Sequence, residues 1–451
     1  MQLRPYQTAA IDALSQGFRE GHLRQLLMMP TGSGKTATAG EMVRRAAERG
    51  HRSLFIVDRI ELAGQAVRHL QSLGLPTGLM QGENTFYSDS DAVIVASIQT
   101  LARRGVPNSV QLIVIDEAHI LHKAHLSALC KYNLIPAVGL SATPLRKGLG
   151  CVFSRLVQGP SIAQLVERDH LVPVRAFGPT QDKVQAAIEG VRVSYSASGR
   201  DYAQGELSAK MRRKELVGDI VSTWNALAAG MPTLCFAVDI AHSKAIVDDF
   251  RAEGVAAEHL DAFTDDADRR AIIQRYRCGE TKLLSSVSVL SIGFDVPIAT
   301  CAILARPTLS LALHIQQVGR VMRPASSKTS ALVLDHAGNF ARHGKPEDFV
   351  IERLEDGEFI VRKPQKAKAE LKPCTDCGYL LDLGQRECPN CGSEPRRSNT
   401  VHQVDGELVE IGGGGRVSQV VDERAFYQQL RYIGISRDWK PQAAAAQFRR
   451  R

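Results

Sequence analysis

The stretch Leu26-Leu27-Met28-Met29-Pro30-Thr31-Gly32-Ser33-Gly34-Lys35-Thr36 decides the fold of the first part of the chain. Its apolar residues predict a buried strand, and a helical pattern over Thr36–Arg49 follows the loop. Glycines in such a loop let backbone N–H groups approach a phosphate closely, Lys35 can reach the β- and γ-phosphates, and the Thr36 hydroxyl can bind Mg²⁺. The full pattern has a small residue where Met29 stands, so this loop alone leaves a chance glycine-rich turn as an alternative.

A pair of carboxylates follows a second predicted strand. The apolar run Leu112-Ile113-Val114-Ile115 leads directly into Asp116-Glu117-Ala118-His119. Because α/β folds bind ligands at the carboxyl ends of parallel strands, we expect this pair to lie beside the phosphate loop. Asp116 is then suited to hold Mg²⁺, and Glu117 to orient and deprotonate an attacking water. Alone, such a pair after a strand is usually a solvated loop; with the phosphate loop, it predicts a site of ATP hydrolysis.

Short β-branched runs alternate with helical patterns in two successive parts of the chain, which is typical of parallel sheets covered by helices. The predicted fold class is therefore α/β. The predicted strands are Gln25–Met29, Ser53–Val57, Ala92–Ala96, Leu112–Ile115, Ala137–Leu140, Thr233–Phe236, Lys282–Ser286, Thr300–Leu304 and Ser330–Leu334. Further predicted helices are Arg59–Leu73, Ser243–Glu253 and Leu311–Val318. The stretch Arg175–Arg200 is weakly patterned and stays unassigned.

Length and composition limit the class of protein. The 451 residues are too many for one ordinary core and predict two or three domains. Hydrophobic residues make up 44% and charged residues 23%, and no apolar run approaches the ~20 residues that cross a bilayer, so we expect a cytoplasmic protein with no membrane partner. The net charge of +8 favours a polyanionic partner. This excess lies before residue 346, because basic and acidic residues are equal in number from Pro346 to Arg451.

Further segments, in the order in which they occur, resemble those of the superfamily 2 DEAD/DEAH-box helicases. Besides the two motifs above, they are Leu3–Gln7, Val57–Leu62, Ser97–Leu101, Ser141–Pro144, Phe236–Asp239, Ser291–Pro297 and Gln316–Pro324. Each has a plainer explanation when taken alone, such as a strand-to-turn exit at Ser141–Pro144 or an amphipathic helix end at Gln316–Arg323. Their joint order over residues 1–345 favours the resemblance.

The resemblance implies two tandem RecA-like domains that bind ATP and Mg²⁺ and step along nucleic acid as they close and open. It places Lys35, Asp116, Glu117, Gln316, Arg320 and Arg323 in catalysis. Nucleotide binding is implied for Arg4, Gln7 (as the reader of adenine), Pro30, Thr31, Gly32, Ser33, Gly34, Lys35, Thr36, Asp116, Gly293 and Asp295. Coupling and nucleic-acid contact are implied for Arg59, Gln99, Thr100, His119, Ser141 and Thr143.

Three segments of the second part resemble the DNA-directed branch of that family, near the RadD proteins and the type III restriction translocases. They are Asp295–Pro297, Gln316–Arg320 and Leu334–Asn339. We therefore expect an ATP-dependent DNA helicase or translocase acting in repair, recombination or phage replication, with DNA favoured over RNA. The motor subunit of a restriction system, an RNA helicase, and a nucleic-acid-binding adaptor with a decayed ATPase stay open as alternatives. Intact Lys35 and Glu117 argue against decay.

Four of the nine cysteines form two Cys-x₂-Cys-Gly turns, and they are Cys374, Cys377, Cys388 and Cys391. Such turns let four thiolates converge tetrahedrally on Zn²⁺ with no open position for catalysis, so a structural Zn²⁺ is favoured over a redox pair or an iron–sulfur cluster. The resulting ribbon either staples a small domain or presents a basic-bordered surface to DNA or a partner. The other cysteines are expected to be buried free thiols, and they are Cys130, Cys151, Cys235, Cys278 and Cys301.

Changes of composition and the resemblance divide the chain into segments. Residues 1–165 form an N-terminal RecA-like ATP-binding domain, and residues 166–345 form a C-terminal RecA-like helicase domain. A linker over 346–372, which contains the charged run Arg362–Lys368, leads to a zinc ribbon over 373–393. The tail, 394–451, contains a predicted helix at Asp422–Ile433. The ribbon or the tail offers a place for a protein partner.

Overall fold

The computed structural model describes most of the first 394 residues of the chain. The described ranges are 3–58, 60–82, 84–179, 190–196, 199–211, 214–287, 296–325, 328–356, 371–374, 376–382, 385 and 387–394. The chain forms two compact units, Met1–Arg396 and Arg397–Arg451, and the second unit lies outside the described residues. The predicted helix Asp422–Ile433 and the charged run Arg362–Lys368 also lie outside them.

Helices and strands alternate along the chain. The helices are α1 (Pro5–Arg19), α2 (Lys35–Ala47), α3 (Ile60–Ser72), α4 (Ile98–Arg104), α5 (Lys123–Lys131), α6 (Leu149–Val152), α7 (Ile162–Glu167), α8 (Gln204–Met211), α9 (Lys214–Leu227), α10 (Ile240–Ala252), α11 (Asp266–Arg277), α12 (Leu311–Val321) and α13 (Asn339–His343), and a 3₁₀ turn spans Pro346–Asp348. The strands are β1 (Arg24–Met28), β2 (Arg52–Val57), β3 (Thr77–Gln81), β4 (Asn84–Phe86), β5 (Val93–Ser97), β6 (Val110–Ile115), β7 (Ala137–Ser141), β8 (Arg155–Gln158), β9 (Val174–Phe177), β10 (Val193–Ser196), β11 (Gly199–Tyr202), β12 (Thr233–Phe236), β13 (Ala257–Leu260), β14 (Leu283–Ser286), β15 (Cys301–Leu304), β16 (Ala331–Asp335), β17 (Lys372–Pro373) and β18 (Leu380–Leu381).

The first sheet has eight strands in the order β4-β3-β5-β2-β6-β7-β1-β8. All neighbours are parallel except β3 and β4. Leu27 belongs to the core on one face of the sheet and Leu26 to the core on the other, so both faces are covered, as expected of a parallel sheet. The predicted strands in this part are confirmed within two residues at each end, and the sequence missed β3, β4 and β8.

The second sheet has six parallel strands in the order β13-β14-β12-β15-β16-β9. The stretch Arg175–Arg200, unassigned from the sequence, supplies most of the edge strand β9 and begins the two-stranded hairpin of β10 and β11. The predicted α/β class with two parallel sheets is confirmed. In the part of the chain that the structure describes, no helix has both the length and the apolar character needed to cross a bilayer.

Part of the predicted linker packs against the first sheet's side of the molecule. The Glu355 carbonyl accepts a hydrogen bond from the Gly150 N–H at 2.9 Å, and the Ile351 carbonyl accepts one from Gln158 Nε2 at 2.8 Å. Leu354 is buried in the core of the first sheet, whereas Leu371, after the next gap, is buried in the core of the second. The chain therefore returns to the first sheet after completing the second.

The prediction that the five scattered cysteines are buried is wrong for three of them. Cys235 and Cys301 are buried in strands β12 and β15, but Cys130, Cys151 and Cys278 are exposed. These three lie on or just after helices, where a residue with apolar neighbours in sequence still faces solvent if it lies on the outer side. Helical surroundings alone therefore do not predict the burial of a thiol.

Candidate functional site

The glycine-rich loop links β1 to α2 and has the backbone geometry of an anion-binding turn. Gly32 and Gly34 have positive φ values of 86° and 85°, in a region that side chains disfavour. A Cβ on Gly34 would lie 2.4 Å from Gln7 Nε2, so only glycine fits there without moving that side chain. The first N–H groups of α2 have no acceptor within the helix and are available to an anion. The loop therefore fits the triphosphate of ATP.

Met29, the departure from the usual loop pattern, is accommodated by a glycine elsewhere. Its side chain is fully buried in the first core, and its N–H donates to the Ser141 carbonyl at 2.9 Å. A Cβ on Gly159 would lie 3.0 Å from Met29 Cγ. Because Gly159 has no side chain, it leaves room for the Met29 side chain, and the loop can carry a methionine where a small residue is usual.

The segment before the loop is hydrogen-bonded to it. Gln7 is buried, and its Nε2 donates to the Gly34 carbonyl at 3.1 Å while its Oε1 accepts from the Arg4 N–H at 2.8 Å. The Tyr6 hydroxyl donates to the Ser33 carbonyl at 2.8 Å. In this structure the Gln7 amide is therefore engaged by the backbone and fixes the loop, and its predicted reading of adenine stays a proposal.

The two carboxylates lie beside the loop because β7 alone separates β6 from β1. Lys35 Nζ is 2.9 Å from Glu117 Oε1 and 3.7 Å from Asp116 Oδ1. Burial disfavours the charged form of Lys35, but these carboxylates outweigh it and raise its pKa. Burial raises the pKa of Asp116, whereas in Glu117 the attraction of Lys35 overcomes burial and lowers the pKa. Glu117 is thus held as a carboxylate, the form that a general base requires.

Glu117 has a backbone conformation that the sequence does not reveal. Its φ is +47°, in the left-handed region that residues other than glycine rarely occupy. Such strain costs on the order of 1–3 kcal/mol and is concentrated at functional sites. The turn is held by the Ala118 N–H, which donates to the Leu140 carbonyl, and by the Ile120 N–H, which donates to the Glu117 carbonyl, each at 2.8 Å.

His119 lies between this carboxylate and the last residue of β7, Ser141. Its Nδ1 is 3.3 Å from Glu117 Oε2 and 3.1 Å from Ser141 Oγ, and Ser141 Oγ also accepts from the Thr143 N–H at 3.1 Å. Burial lowers the pKa of His119, which favours a neutral imidazole. Ser141 and Thr143 are fully buried, and the Ser141 side chain together with the Thr143 N–H holds this turn.

Helix α12 brings the second sheet's side of the molecule against the loop. A Cβ on Gly319 would lie 3.0 Å from Thr31 Cβ, so a glycine permits the close approach. A Cβ on Gly32 would lie 3.4 Å from Arg323 Cγ. Gln316 and Arg320 of this helix are buried, and burial lowers the pKa of Arg320 to about 10, partly offset by the Glu117 carboxylate. Arg320 therefore remains a cation at neutral pH in the same charged cluster as Glu117.

Two family models match the chain: Type III restriction enzyme, res subunit, over residues 1–146, and Helicase conserved C-terminal domain, over residues 215–325. Their two matches fall on the two sheets whose facing residues make up the site. The chain belongs to the superfamily 2 helicases. The predicted family is confirmed, and with it the prediction of an ATP-hydrolysing enzyme of helicase type.

The matches between this helicase and individual relatives cover different shares of each relative's length. A 51.5 kDa protein of a Lactococcus phage is 29% identical over 377 residues, which are 82% of this chain and 78% of the relative. The ATP-dependent helicase named IRC3 of Saccharomyces cerevisiae is 31% identical over 363 residues, but the match spans 74% of this chain and only 51% of the yeast protein. The solved structure of the type ISP restriction-modification enzyme LlaBIII bound to DNA matches with a TM-score of 0.56 at 18% identity, over 74% of this chain and 27% of that one, and supports the fold.

The family implies ATP and Mg²⁺, and the described residues fit both. Thr36 is exposed at the start of α2, and the Asp116 side chain is 30% exposed, so these oxygens are accessible to a hydrated Mg²⁺. When bound, that ion would neutralise charge on the phosphates. Gly293 and Asp295, assigned to the nucleotide from the resemblance, lie outside the described residues, as does Arg59.

The segments assigned to nucleic-acid contact differ in exposure. Gln99 is exposed, and its Nε2 donates to the Asp58 carbonyl at 2.9 Å. Thr100 is buried, and its hydroxyl lies 3.0 Å from Ser97 Oγ and accepts from the Gly82 N–H at 3.2 Å. Gln99 is therefore accessible from solvent, whereas the Thr100 side chain is hydrogen-bonded inside the protein, and the nucleic-acid contacts of both residues stay proposals.

The four paired cysteines of the helicase converge at one point. Cys374 Sγ and Cys391 Sγ are 3.7 Å apart, Cys377 Sγ and Cys388 Sγ are 3.6 Å apart, and all four sulfurs lie within 4.8 Å of one another. Zn–S bonds of about 2.3 Å in a tetrahedron place sulfurs about 3.8 Å apart. The donor set and its spacing therefore fit a structural Zn²⁺.

The cysteine module is attached to the edge of the second sheet. Tyr379 forms an antiparallel bridge with Phe177 of β9, and their rings meet edge-to-face at 5.6 Å. The Gly178 N–H donates to the Gly378 carbonyl at 3.3 Å, and Leu380 enters the core of the second sheet. The module thus covers an edge strand that would otherwise expose unpaired backbone groups.

Proposed function

We propose that this helicase is an ATP-driven motor on DNA whose active site is divided between its two sheets. The observation that carries the proposal is the contact of α12 with the phosphate loop, which puts Arg320 in the same buried charge cluster as Lys35 and Glu117. Such a site is complete only when the two halves are together. ATP binding and hydrolysis would then change the relation between the halves, and surfaces on each half would grip and release a strand in turn.

Within this site each residue has a distinct proposed role. Lys35 and the loop bind the phosphates, Thr36 and Asp116 hold Mg²⁺, and Glu117 deprotonates the attacking water. Arg320 and Arg323 stabilise charge that develops on the transferred phosphoryl group, and Gln316, which is buried on the same helix, assists them. His119 and Ser141 connect the base to the neighbouring strand end. We also propose residues 1–165 and 166–345 as the two motor domains.

DNA is the favoured substrate over RNA. The net charge of +8 suits a polyanion of either kind. The match of residues 1–146 to a restriction-enzyme family and the likeness to a restriction enzyme solved with DNA both favour DNA. The same two findings favour one second candidate, the motor subunit of a restriction system. Roles in repair, recombination or phage replication, and a cytoplasmic location, stay predictions.

Nucleic-acid specificity is tested by the steady-state rate of ATP hydrolysis with single-stranded DNA, duplex DNA, branched DNA and RNA. Salt is held constant because phosphate contacts make affinity strongly salt-dependent. We expect the hydrolysis rate to rise with at least one form of DNA and to rise less with RNA of the same length. Equal rates in the presence and absence of every nucleic acid would contradict the proposal.

Glu117→Gln is expected to retain ATP binding while lowering hydrolysis by about 10²- to 10⁴-fold, because the amide keeps the shape of the side chain but cannot take a proton. Single-turnover hydrolysis and filter binding of labelled ATP measure the two effects separately. Glu355→Gln is the matched control, since this residue lies outside the charge cluster. Rapid hydrolysis by Glu117→Gln would exclude Glu117 as the base.

The cysteine module is proposed to hold Zn²⁺ and to brace the edge of the second sheet, with a protein or DNA partner at its basic border, which includes Lys372, Arg396 and Arg397. Elemental analysis of purified protein is expected to give about one Zn²⁺ per chain, and Cys374→Ser with Cys377→Ser is expected to remove it and lower the melting temperature. Cys278→Ser, which changes an exposed thiol outside the module, serves as the control. Native protein free of zinc, or a double variant with unchanged zinc content, would refute the site.

A further inference from the structure

A contact between the Asp58 carboxylate and the His122 ring lies beyond the carboxyl ends of two neighbouring strands of the first sheet, β2 and β6. His122 Nε2 is 2.6 Å from Asp58 Oδ1. The two residues are 64 positions apart in sequence. Asp58 follows β2, and His122 is the residue immediately before α5. The Asp58 side chain is 13% exposed and the His122 side chain 37% exposed, so the contact lies at the surface rather than in the core.

Asp58 precedes Arg59, one of the residues proposed to contact nucleic acid. It lies within the segment Val57–Leu62, and its carbonyl accepts the hydrogen bond from Gln99 Nε2 at 2.9 Å. Gln99 belongs to the segment Ser97–Leu101 and lies in the first turn of α4, directly after β5. A nucleic-acid strand that displaces Gln99, or the residues that follow Asp58 in the chain, would therefore also displace Asp58.

His122 belongs to the turn that carries the proposed base. The five residues from Glu117 to Leu121 precede it, and Glu117 has the strained φ of +47°. The near end of this turn is anchored by the Ala118 N–H bond to Leu140 and by the His119 contact with Ser141. The Asp58 carboxylate is an anchor at the far end. The short turn whose first residue is Glu117 is therefore fixed by side-chain or backbone contacts at both ends.

We propose that Asp58 and His122 are positioning residues that transmit nucleic-acid binding to Glu117. The inference rests on the proposed function, because it assumes that nucleic acid stimulates hydrolysis. Coupling between two sites requires an element with two arrangements that both sites bias. The turn Glu117–His122 is that element. Its strained first residue belongs to the hydrolysis site, and its last residue contacts Asp58, which lies in a segment proposed to contact nucleic acid.

The surroundings of His122 leave Asp58 as its charged partner in this connection. The His125 ring stacks on His122 at 5.6 Å, and His125 Nδ1 accepts from the His122 N–H at 3.0 Å. His125 is buried, and burial lowers its pKa to about 4, so it is neutral. Arg146, the nearby cation, donates to the Leu121 carbonyl. A partly exposed pair of this kind contributes little to stability, so its removal is expected to leave the fold intact.

The test compares basal and DNA-stimulated ATP hydrolysis in the full chain carrying His122→Ala. We expect basal hydrolysis and DNA affinity to stay within about twofold of wild type, and the stimulation factor to fall at least about fivefold. His122→Gln, whose amide still donates to Asp58, is expected to restore most of the stimulation. The double variant Asp58→Asn with His122→Ala should lose no more stimulation than the single variant that loses more, because the two substitutions remove the same contact. His51→Ala changes an exposed histidine before β2 and is the matched control.

The outcomes separate the two proposals. Wild-type protein that no nucleic acid stimulates would overturn the proposed function, and the inference with it. Stimulated wild type together with an equally stimulated His122→Ala variant would overturn the inference alone. Equal loss of basal and stimulated hydrolysis would also overturn it, because the pair would then only support the turn.

Discussion

Replacing Arg320 by alanine is expected to lower the rate of ATP hydrolysis by about 10³- to 10⁵-fold, the range that an arginine at a transferring phosphoryl group contributes. Arg320 is buried, shares a charge cluster with Glu117 and Lys35, and stays charged because its lowered pKa is still about 10. ATP affinity should change far less than the rate, since the loop and Lys35 lie on the other half of the site. Single-turnover hydrolysis at saturating ATP, beside equilibrium binding of ATP, measures both.

Arg270→Ala is the matched control for this prediction. Arg270 is exposed on α11, where its Nε donates to a carbonyl of its own helix at 3.1 Å. Thermal melting of both variants shows whether the fold is kept. An Arg320→Ala protein that is folded and hydrolyses ATP within tenfold of wild type would contradict the role proposed for Arg320, because the arginine that shares the charge cluster with Glu117 would then not be needed for hydrolysis.

Replacing Lys35 by alanine is expected to reduce hydrolysis by at least about 10²- to 10³-fold, the scale for loss of one charged group that stabilises a transition state. It should also weaken ATP binding, unlike the Arg320 variant. Lys35 Nζ is 2.9 Å from Glu117 Oε1, and its charge opposes the effect of burial on the pKa of that carboxyl group. Without it, burial would raise the pKa of Glu117 and make the base harder to keep ionised.

The rate of hydrolysis as a function of ATP concentration checks the Lys35 prediction. Lys147→Ala, which removes an exposed lysine from the same half of the chain, should behave as wild type. Robust hydrolysis by Lys35→Ala at moderate ATP concentration would mean that the loop Pro30–Thr36 is not the phosphate site.

Local patterns predicted much of the fold. Strands such as Ala137–Ser141 and Cys301–Leu304 are buried on both faces and appear in sequence as continuous apolar runs bounded by turn residues. The edge strand β9 was missed because an edge strand needs fewer apolar residues. The contacts of Leu354 and Leu371 with different cores depend on tertiary packing that no local pattern encodes.

The candidate site shows the same division. The chemistry of Lys35, Asp116 and Glu117 follows from residue type and spacing, since phosphate and magnesium require those groups. The left-handed φ of Glu117 is set by the three-dimensional structure, and so is the contact of His122 with Asp58. The sequence carries no signal for either. The burial of Thr100 is also not predicted by the pattern, because the different exposure of Gln99 and Thr100 depends on which side of the first turn of α4 packs against the protein.

Movement on DNA is the central claim, and displacement of streptavidin from the biotinylated ends of single-stranded and duplex DNA tests it most directly. We expect the wild-type chain to displace streptavidin from at least one of these DNAs, only with hydrolysable ATP, and the Lys35→Ala chain to displace none. Hydrolysis of ATP by the wild type without displacement from any DNA end would contradict the account and leave an ATPase that is not a motor.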